Sequence, residues 1–368
     1  MPLAEKKKGF VNTLIVYLII FFLVFLIVNH FLFKVTEYVE NTIPSIPANS
    51  KIIINLLTYH TRAIERWDIA YLENKDNSNE YLSRRVLGLP GESIFLKNGD
   101  VYVGNVLQQK NSSLQKGLWI PGFNLKDQVI KNPLKPEELF SIFEPEFWQI
   151  TSQGTLVSHP GGTGHLTFQM DNTGENNTRD ICVSFDIIFN KDMGRFFIMT
   201  HYYDKQLLLN LPSASTHKDA HIQEEMKILK NFSGIQLRPG IAYHVEYWLY
   251  DMKLEIYIND ARVFRQNWGK DPLNQKRLAP TSLVLGVINS ELTINNFEVK
   301  RDITFESIGR YGCDPEIPYK ITENQYYVST ESPDSSASDS RSNGSVGIKY
   351  IKGKVIMTLS PNFMNWIY

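Results

Sequence analysis

The pattern of apolar and polar positions changes character three times along the chain. From Leu14 to Val28 fifteen residues are apolar without a break, and the wider stretch from Phe10 to Phe33 admits only Asn12, Thr13, Asn29 and His30. A bilayer-crossing helix needs about 20 such residues, whereas the apolar part of a cleaved leader runs roughly 7–15 and is followed by small residues. Bulky Phe31, Leu32 and Phe33 follow here, so residues 10–33 read as a retained transmembrane helix. Lys6, Lys7 and Lys8 precede it. The positive-inside rule makes residues 1–9 a cytoplasmic tail and sets the bulk of the chain, from residue 35 on, outside the membrane.

The next stretch, 35–160, opens with short β-branched runs. Lys51 to Leu56, Trp67 to Leu72 and Glu92 to Leu96 read as strands, and Asn98-Gly99 followed by Asp100 to Val106 reads as a hairpin. Residues 107–160, with scattered Pro, Gly and Trp, read as a loop-rich connection. Between 164 and 305 strand-like runs recur: His165–Asp171, Ile181–Phe189, Arg195–Tyr202, Ala242–Asp251, Lys253–Asn259, Ser282–Ile288 and Glu291–Lys300. Near-alternating aromatic and aliphatic positions with turn signals between runs predict a β-sandwich. The segment 306–368 ends in one more strand pair, VGIKYI and KVIMTL, and by composition Ser329 to Ser345 reads as a disordered linker.

Composition narrows the function. Of the 368 residues 43% are hydrophobic and 21% charged, which is globular, and the net charge of −1 argues against nucleic acid, whose binding rests on clustered Lys and Arg. Cys182 and Cys313, the two cysteines, lie far apart without a CxxC, so no zinc site is expected, and they form one disulfide at most. His201, His217 and His221 lack metal-ligand spacing on a helix. Asp251, Asp260 and Asp271 read as turn residues, with no dense Asp-x-Asp array for calcium. No cofactor or metal is expected.

Three separated blocks carry recognisable chemistry. Arg84 to Glu92 (RRVLGLPGE), preceded by ERWDIAYL at 65–72 and followed by GDVYVGN, is similar to K-R-V-I-G-L-P-G-D in its setting. Asn41 to Asn55 (NTIPSIPANSKIIIN) is similar to S-M-x-P-T-I-P-x-G-S-x-V-x-V. Tyr327 to Gly344 (YVSTESPDSSASDSRSNG) is similar to Y-x-x-G-D-N-S-x-N-S-x-D-S-R-x-W-G, and IKGKVIMTLSP at 351–361 to a closing strand. In this order the blocks resemble bacterial type I signal peptidases, serine endopeptidases with a Ser/Lys dyad. The resemblance covers 5–110 and 320–361 and implies a mostly β architecture: an N-terminal transmembrane helix, a split signal-peptidase-like β-domain, and an inserted β-sandwich at 164–305. The EYWLYDMKLEIYIND hairpin of that insertion resembles concanavalin-type jelly rolls, in which glycan or protein ligands occur.

The same alignment shows departures. The dyad needs a hydroxyl nucleophile and an amine that can become neutral to take its proton. Asn41 stands at the Ser position and Arg84 at the Lys position. Asn has no hydroxyl, and a guanidinium stays charged in proteins. Ser329, Thr330 and Glu331 occupy the Gly-Asp-Asn positions, and the Ser that orients the lysine falls on Ala337, or on Ser335 with a gap. Asp339 and Arg341 match and, by the resemblance, brace the site as an ion pair. Ser45 in IPSIP is an alternative nucleophile, with Lys51 the nearest available amine by type, although Ser45 also stands for the family's Thr. The expectation is a degenerate signal peptidase at the outer face of a bacterial cytoplasmic membrane, in contact with the lipid bilayer and with signal peptides or secretory proteins. The alternatives are an active enzyme using Ser45, and binding of a glycan or protein surface by the sandwich.

Overall fold

A computed structural model describes residues 13–25, 32–40, 42–44, 46–47, 49–75, 80–131, 140–168, 179–269, 281–331, 338–360 and 363–367. The chain is mostly β and divides into two units, residues 1–104 with 304–368, and residues 105–303. Among the described residues no helix is long and apolar enough to cross a membrane. Residues 13–25 are helical and exposed, residues 10–12 and 26–31 of the expected span lie outside the described residues, and Phe33, its expected last residue, already begins the strand Phe33–Glu37.

The host unit interleaves the two ends of the chain in one antiparallel sheet. Its order is Phe33–Glu37, Lys51–Asn55, Ile351–Ser360, Ile69–Glu73, Tyr81–Gly88, Gln325–Ser329, Val346–Gly347, with Phe363–Trp366 also on Ile351–Ser360. The C-terminal strand thus lies between two N-terminal ones. Tyr81–Gly88 is buried from its second residue on, because strands flank it on both sides. Asn98 and Gly99 take left-handed φ of 55° and 90°, which matches the two-residue turn that Lys97↔Asp100 pairing requires. VGIKYI does not run as one strand: Val346–Gly347 pairs, and Ile348–Tyr350 then closes into a 3₁₀ turn.

The inserted unit is a sandwich. One sheet runs Trp148–Ile150, Leu156–Ser158, Leu292–Arg301, Ile181–Phe189, Ala242–Tyr250, Lys253–Ile258, Ala261–Asn267, and Ile120–Asn124 also pairs with Leu292–Arg301. The other runs Lys227–Phe232, Ala220–Glu224, Lys205–Pro212, Arg195–Tyr202, Ser282–Ile288, Thr163–Phe168, Phe140–Phe143. Their inner faces meet where the Phe185 and Phe196 rings lie 5.5 Å apart and where Thr200 and Tyr247 hydroxyls bond at 2.9 Å. Part of 107–160, expected as a connection, is therefore sandwich. Its strands are three to five residues long, too short to show alternation.

The ends of the insertion are tied inside the unit. Lys110 Nζ lies 2.8 Å from both Asp251 and Asp302 carboxylates, and Gln115 donates to Asp302 at 2.8 Å. Asp251 is a turn residue, with φ of 45°, yet its carboxylate is buried by this pairing. Cys182 and Cys313 are free thiols.

Candidate functional site

Of the residues singled out in the sequence, Asn41, Ser45 and Ser335 lie outside the described residues; Arg84, Asp339 and Arg341 are within them. Arg84 and Arg85 are consecutive on Tyr81–Gly88, so their side chains leave opposite faces of the strand. They serve two networks.

Arg84, 2% exposed, turns to the segment that holds position 41. Its Nη1 donates to Glu40 Oε2 at 2.6 Å and to the Ser83 carbonyl at 2.8 Å, and its Nε donates to the Ser338 carbonyl at 3.2 Å. Thr42 Oγ1 lies 3.5 Å from the same Nη1 and donates to Glu40 at 3.3 Å. Both neighbours of Asn41 in the chain therefore reach the guanidinium. Tyr38 fixes this segment from below, its hydroxyl accepting the Thr42 and Ile43 amides at 3.0 and 2.8 Å. Burial pushes the Tyr38 phenol above its ordinary range, so it stays a neutral brace. Lys51 is exposed at the start of Lys51–Asn55 and has no position in this network.

Arg85 forms a fully buried ion pair with Glu331 and donates to the Trp67 carbonyl at 2.6 Å. Glu331 N in turn donates to the Thr42 carbonyl at 2.9 Å, joining the third sequence block to the first. Thr330 N and Ser329 Oγ donate to Asp339 Oδ2 at 3.1 and 3.2 Å. Asp339 caps the short helix Ser340–Asn343 and holds Arg341 at 2.7 Å, and Arg341 also donates to Thr330 Oγ1 at 2.8 Å. Ser340 Oγ accepts from Val328 N at 2.9 Å. The Ser-rich composition of 329–345 thus misleads at both of its described ends: these hydroxyls are buried and bonded within the fold.

The GLPGE turn has its own lock. Glu92 Oε2 accepts the Leu89 amide at 2.7 Å, Gly91 supplies φ of 81°, and Arg66 of the ERWD stretch holds Glu92 Oε1 at 2.6 Å. A cleft of about 280 Å³ is lined by Glu73, Lys75, Leu82, Ser338, Asp339 and Asn343, and Arg84 meets its wall through the Ser338 carbonyl. Taken unit by unit, the described residues bring no three His, Cys, Asp or Glu side chains together at metal-ligand spacing.

Sequence reasoning did not identify Glu40 or Thr42 as partners of Arg84, nor Glu331 as the partner of Arg85. A carboxylate standing in an otherwise neutral Ser-Thr-Glu run was the available signal for the last. Glu40 carried none, since 44 positions separate it from Arg84.

Comparison with known proteins agrees with this geometry. The family described as "Signal peptidase, peptidase S26" matches residues 10–128. Signal peptidase IB of Staphylococcus aureus strain Mu50 is 27% identical over 133 residues, covering 34% of this chain and 69% of its own length. Signal peptidase I P of Bacillus subtilis subsp. natto is 31% identical over 102 residues, 27% of this chain and 53% of that protein. Among solved structures, carbohydrate binding module CBM66 from Bacillus subtilis aligns over 42% of this chain and 90% of its own, at TM-score 0.31 and 13% identity. The Emp46p carbohydrate recognition domain aligns over 49% and 97%, at TM-score 0.36 and 12% identity. Likeness this weak leaves the ligand of the sandwich to be argued from its own residues. The matched residues carry the Arg84 strand and the GLPGE turn, and over residues 10–128 the chain is similar to the signal peptidases of family S26.

Proposed function

We propose that this chain is a membrane-anchored signal peptidase homologue that no longer performs Ser/Lys hydrolysis and acts by binding at the outer face of the membrane. One observation carries the reading. The position that needs a neutral amine holds Arg84, ion-paired with Glu40 and bonded to two carbonyls. A guanidinium is never a general base near neutral pH, and loss of either partner of a catalytic pair costs on the order of 10⁴–10⁶ in rate. The cleft beside Arg84 leaves room for a peptide to bind without being cut. The apolar run Leu14 to Val28 behind Lys6, Lys7 and Lys8 supports the anchor and an outward-facing bulk.

The purified full chain should leave a secretory precursor intact at every pH tested, since no titration makes Arg84 a base. Asn41→Ser with Arg84→Lys should restore a trace of cleavage at most, because Ser329-Thr330-Glu331 still departs from the family. Cleavage by the unmodified protein that Ser45→Ala abolishes would overturn the proposal and establish the shifted nucleophile. For the anchor, a reporter fused at Tyr368 that is active in the cytoplasm would refute the topology.

A further inference from the structure

The outward face of the sandwich sheet containing Arg195–Tyr202 carries a cleft of about 470 Å³. Strand register builds it. One row crosses four strands as His165, Gly286, Phe197 and Asn210, and the next row brings Val284, Met199 and Leu208 side by side. Gly286 opens the trough: a Cβ there would meet the Phe197 ring tip at 2.0 Å, so the ring leans over the bare backbone while its neighbours stand as walls. Ile288 and Arg195 close one end as a directly paired couple.

Outward faces of sandwiches are ordinarily polar, and this one is mostly apolar with a few convergent polar groups, the usual make-up of a ligand pocket. Two of those groups await a partner. Asn210 is 5% exposed, and its Oδ1 has no hydrogen-bond donor among the described residues. A buried acceptor left unpaired is costly, so a site that supplies its donor on binding gains twice. Arg195 lines the cleft without a carboxylate partner among the described residues. Arg195 pairs with Pro212, two residues from Asn210, so cation and acceptor are diagonal neighbours, about 7–8 Å apart at the backbone.

A sugar ring presents hydroxyls around its whole edge and needs polar partners on several sides. Phe197, Met199, Leu208, Val284 and Ile288 offer none, and the polar lining is confined to Arg195 and Asn210 on one side and to Thr167 and His165, whose ring stacks on Phe143, on the other. We infer that this cleft binds an apolar carboxylate with a hydrogen-bond donor close to its charged end. Arg195 takes the carboxylate, a half-turn of the Asn210 carboxamide presents Oδ1 to the donor, and the apolar body lies on Phe197 and Met199. The free C-terminus of an apolar peptide has this chemistry, and so does an N-acyl amino acid. The inference is independent of whether the host unit hydrolyses peptides.

The test uses the full chain in nanodiscs, with empty nanodiscs as control. Calorimetry would measure binding of acetyl-Leu-Leu-Phe as the free acid, the same peptide as its C-terminal amide, and octanoyl-phenylalanine. The expected result is binding of one or both acids, at least tenfold weaker for the amide, and a similar loss in Arg195→Gln and in Asn210→Leu. Whichever acid binds more tightly identifies the source. Arg195→Gln alters a partly exposed side chain and should leave the thermal transition unchanged, so its loss of binding reports the site. Equal affinity for acid and amide, unchanged binding in Arg195→Gln, or no binding of either acid at millimolar concentration would overturn the inference. So would binding of a neutral oligosaccharide in this cleft, read as its loss in Asn210→Leu.

Discussion

Replacing Glu331 with Ala tests whether the altered third block is a working part of the fold. Both Glu331 and Arg85 side chains are fully buried, and the pair joins Tyr81–Gly88 to the end of Gln325–Ser329. Taking away the carboxylate leaves a guanidinium in the sheet interior with the Trp67 carbonyl but without its counter-charge. Breaking a buried pair from one side costs about 3–5 kcal/mol, whereas replacing both partners by apolar groups of similar size is often neutral or stabilising. Glu331→Ala should therefore destabilise the host unit by about 3–5 kcal/mol, a fall of roughly 6–20 °C at 2–4 °C per kcal/mol for a domain of this size. Arg85→Met with Glu331→Leu should recover most of it. Calorimetry of the single variants, the double variant and the unmodified chain closes the thermodynamic cycle. A loss under about 1 kcal/mol in Glu331→Ala, or simple additivity in the double variant, would refute the reasoning, because either result means that the two charges do not depend on each other.

The sandwich makes four further predictions. Burial alone would lower the His244 pKa, but its bonds to Asp186 at 2.7 Å and to Glu246 raise it. The stability His244 contributes is full below its unfolded value of about 6.5 and is lost as pH rises through the higher folded value, so His244→Asn should flatten the pH dependence of unfolding above that point. Asp180 is pushed up to about 7 by burial and by the nearby Asp251 and Asp302 carboxylates. Its contribution is full below about pH 4 and fades as pH rises through 7, so Asp180→Asn should remove that slope in denaturant titrations. Residues 105–303 expressed alone should show a cooperative thermal transition, and Lys110→Met in that fragment should cost about 3–5 kcal/mol by leaving Asp251 and Asp302 without their shared cation. A fragment that aggregates, or a Lys110 variant as stable as its parent, would contradict the last two.

What the sequence disclosed depended on range. The Asn98-Gly99 hairpin and the runs Ile181–Phe189, Arg195–Tyr202 and Ser282–Ile288 were legible because a turn or an alternation is a local property. Edge elements such as Lys227–Phe232 were not, since an edge strand exposed along most of its length has no apolar face to show. Composition misjudged Ser329 and Ser340: serine signals solvent on average, but here each hydroxyl has a partner inside the fold. Motif spacing singled out Arg84, Asp339 and Arg341 as candidates. Their charge partners Glu40 and, for Arg85, Glu331 lie 44 and 246 positions away and were fixed by sheet pairing alone.

The position of Ile351–Ser360 between Lys51–Asn55 and Ile69–Glu73 has a consequence for biosynthesis. The host sheet lacks an interior strand until the ribosome has passed the whole insertion, a delay of roughly 10–40 s for residues 105–303 at bacterial and eukaryotic elongation rates. Through that interval the edges of Lys51–Asn55 and Ile69–Glu73 stay open. The insertion can fold first, because the Lys110–Asp302 tie joins its two ends within its own unit. Once folded, it hands the emerging chain back at a fixed point, where Phe305 N donates to the Gly99 carbonyl at 3.0 Å. The loop-closure entropy of joining Gly99 to Phe305 is then borne by the folding of the sandwich rather than by the host. The inserted unit is in this sense an assembly step for the host unit: a variant that slows its folding should leave the host unit open to proteolysis during synthesis, even when the finished protein is stable.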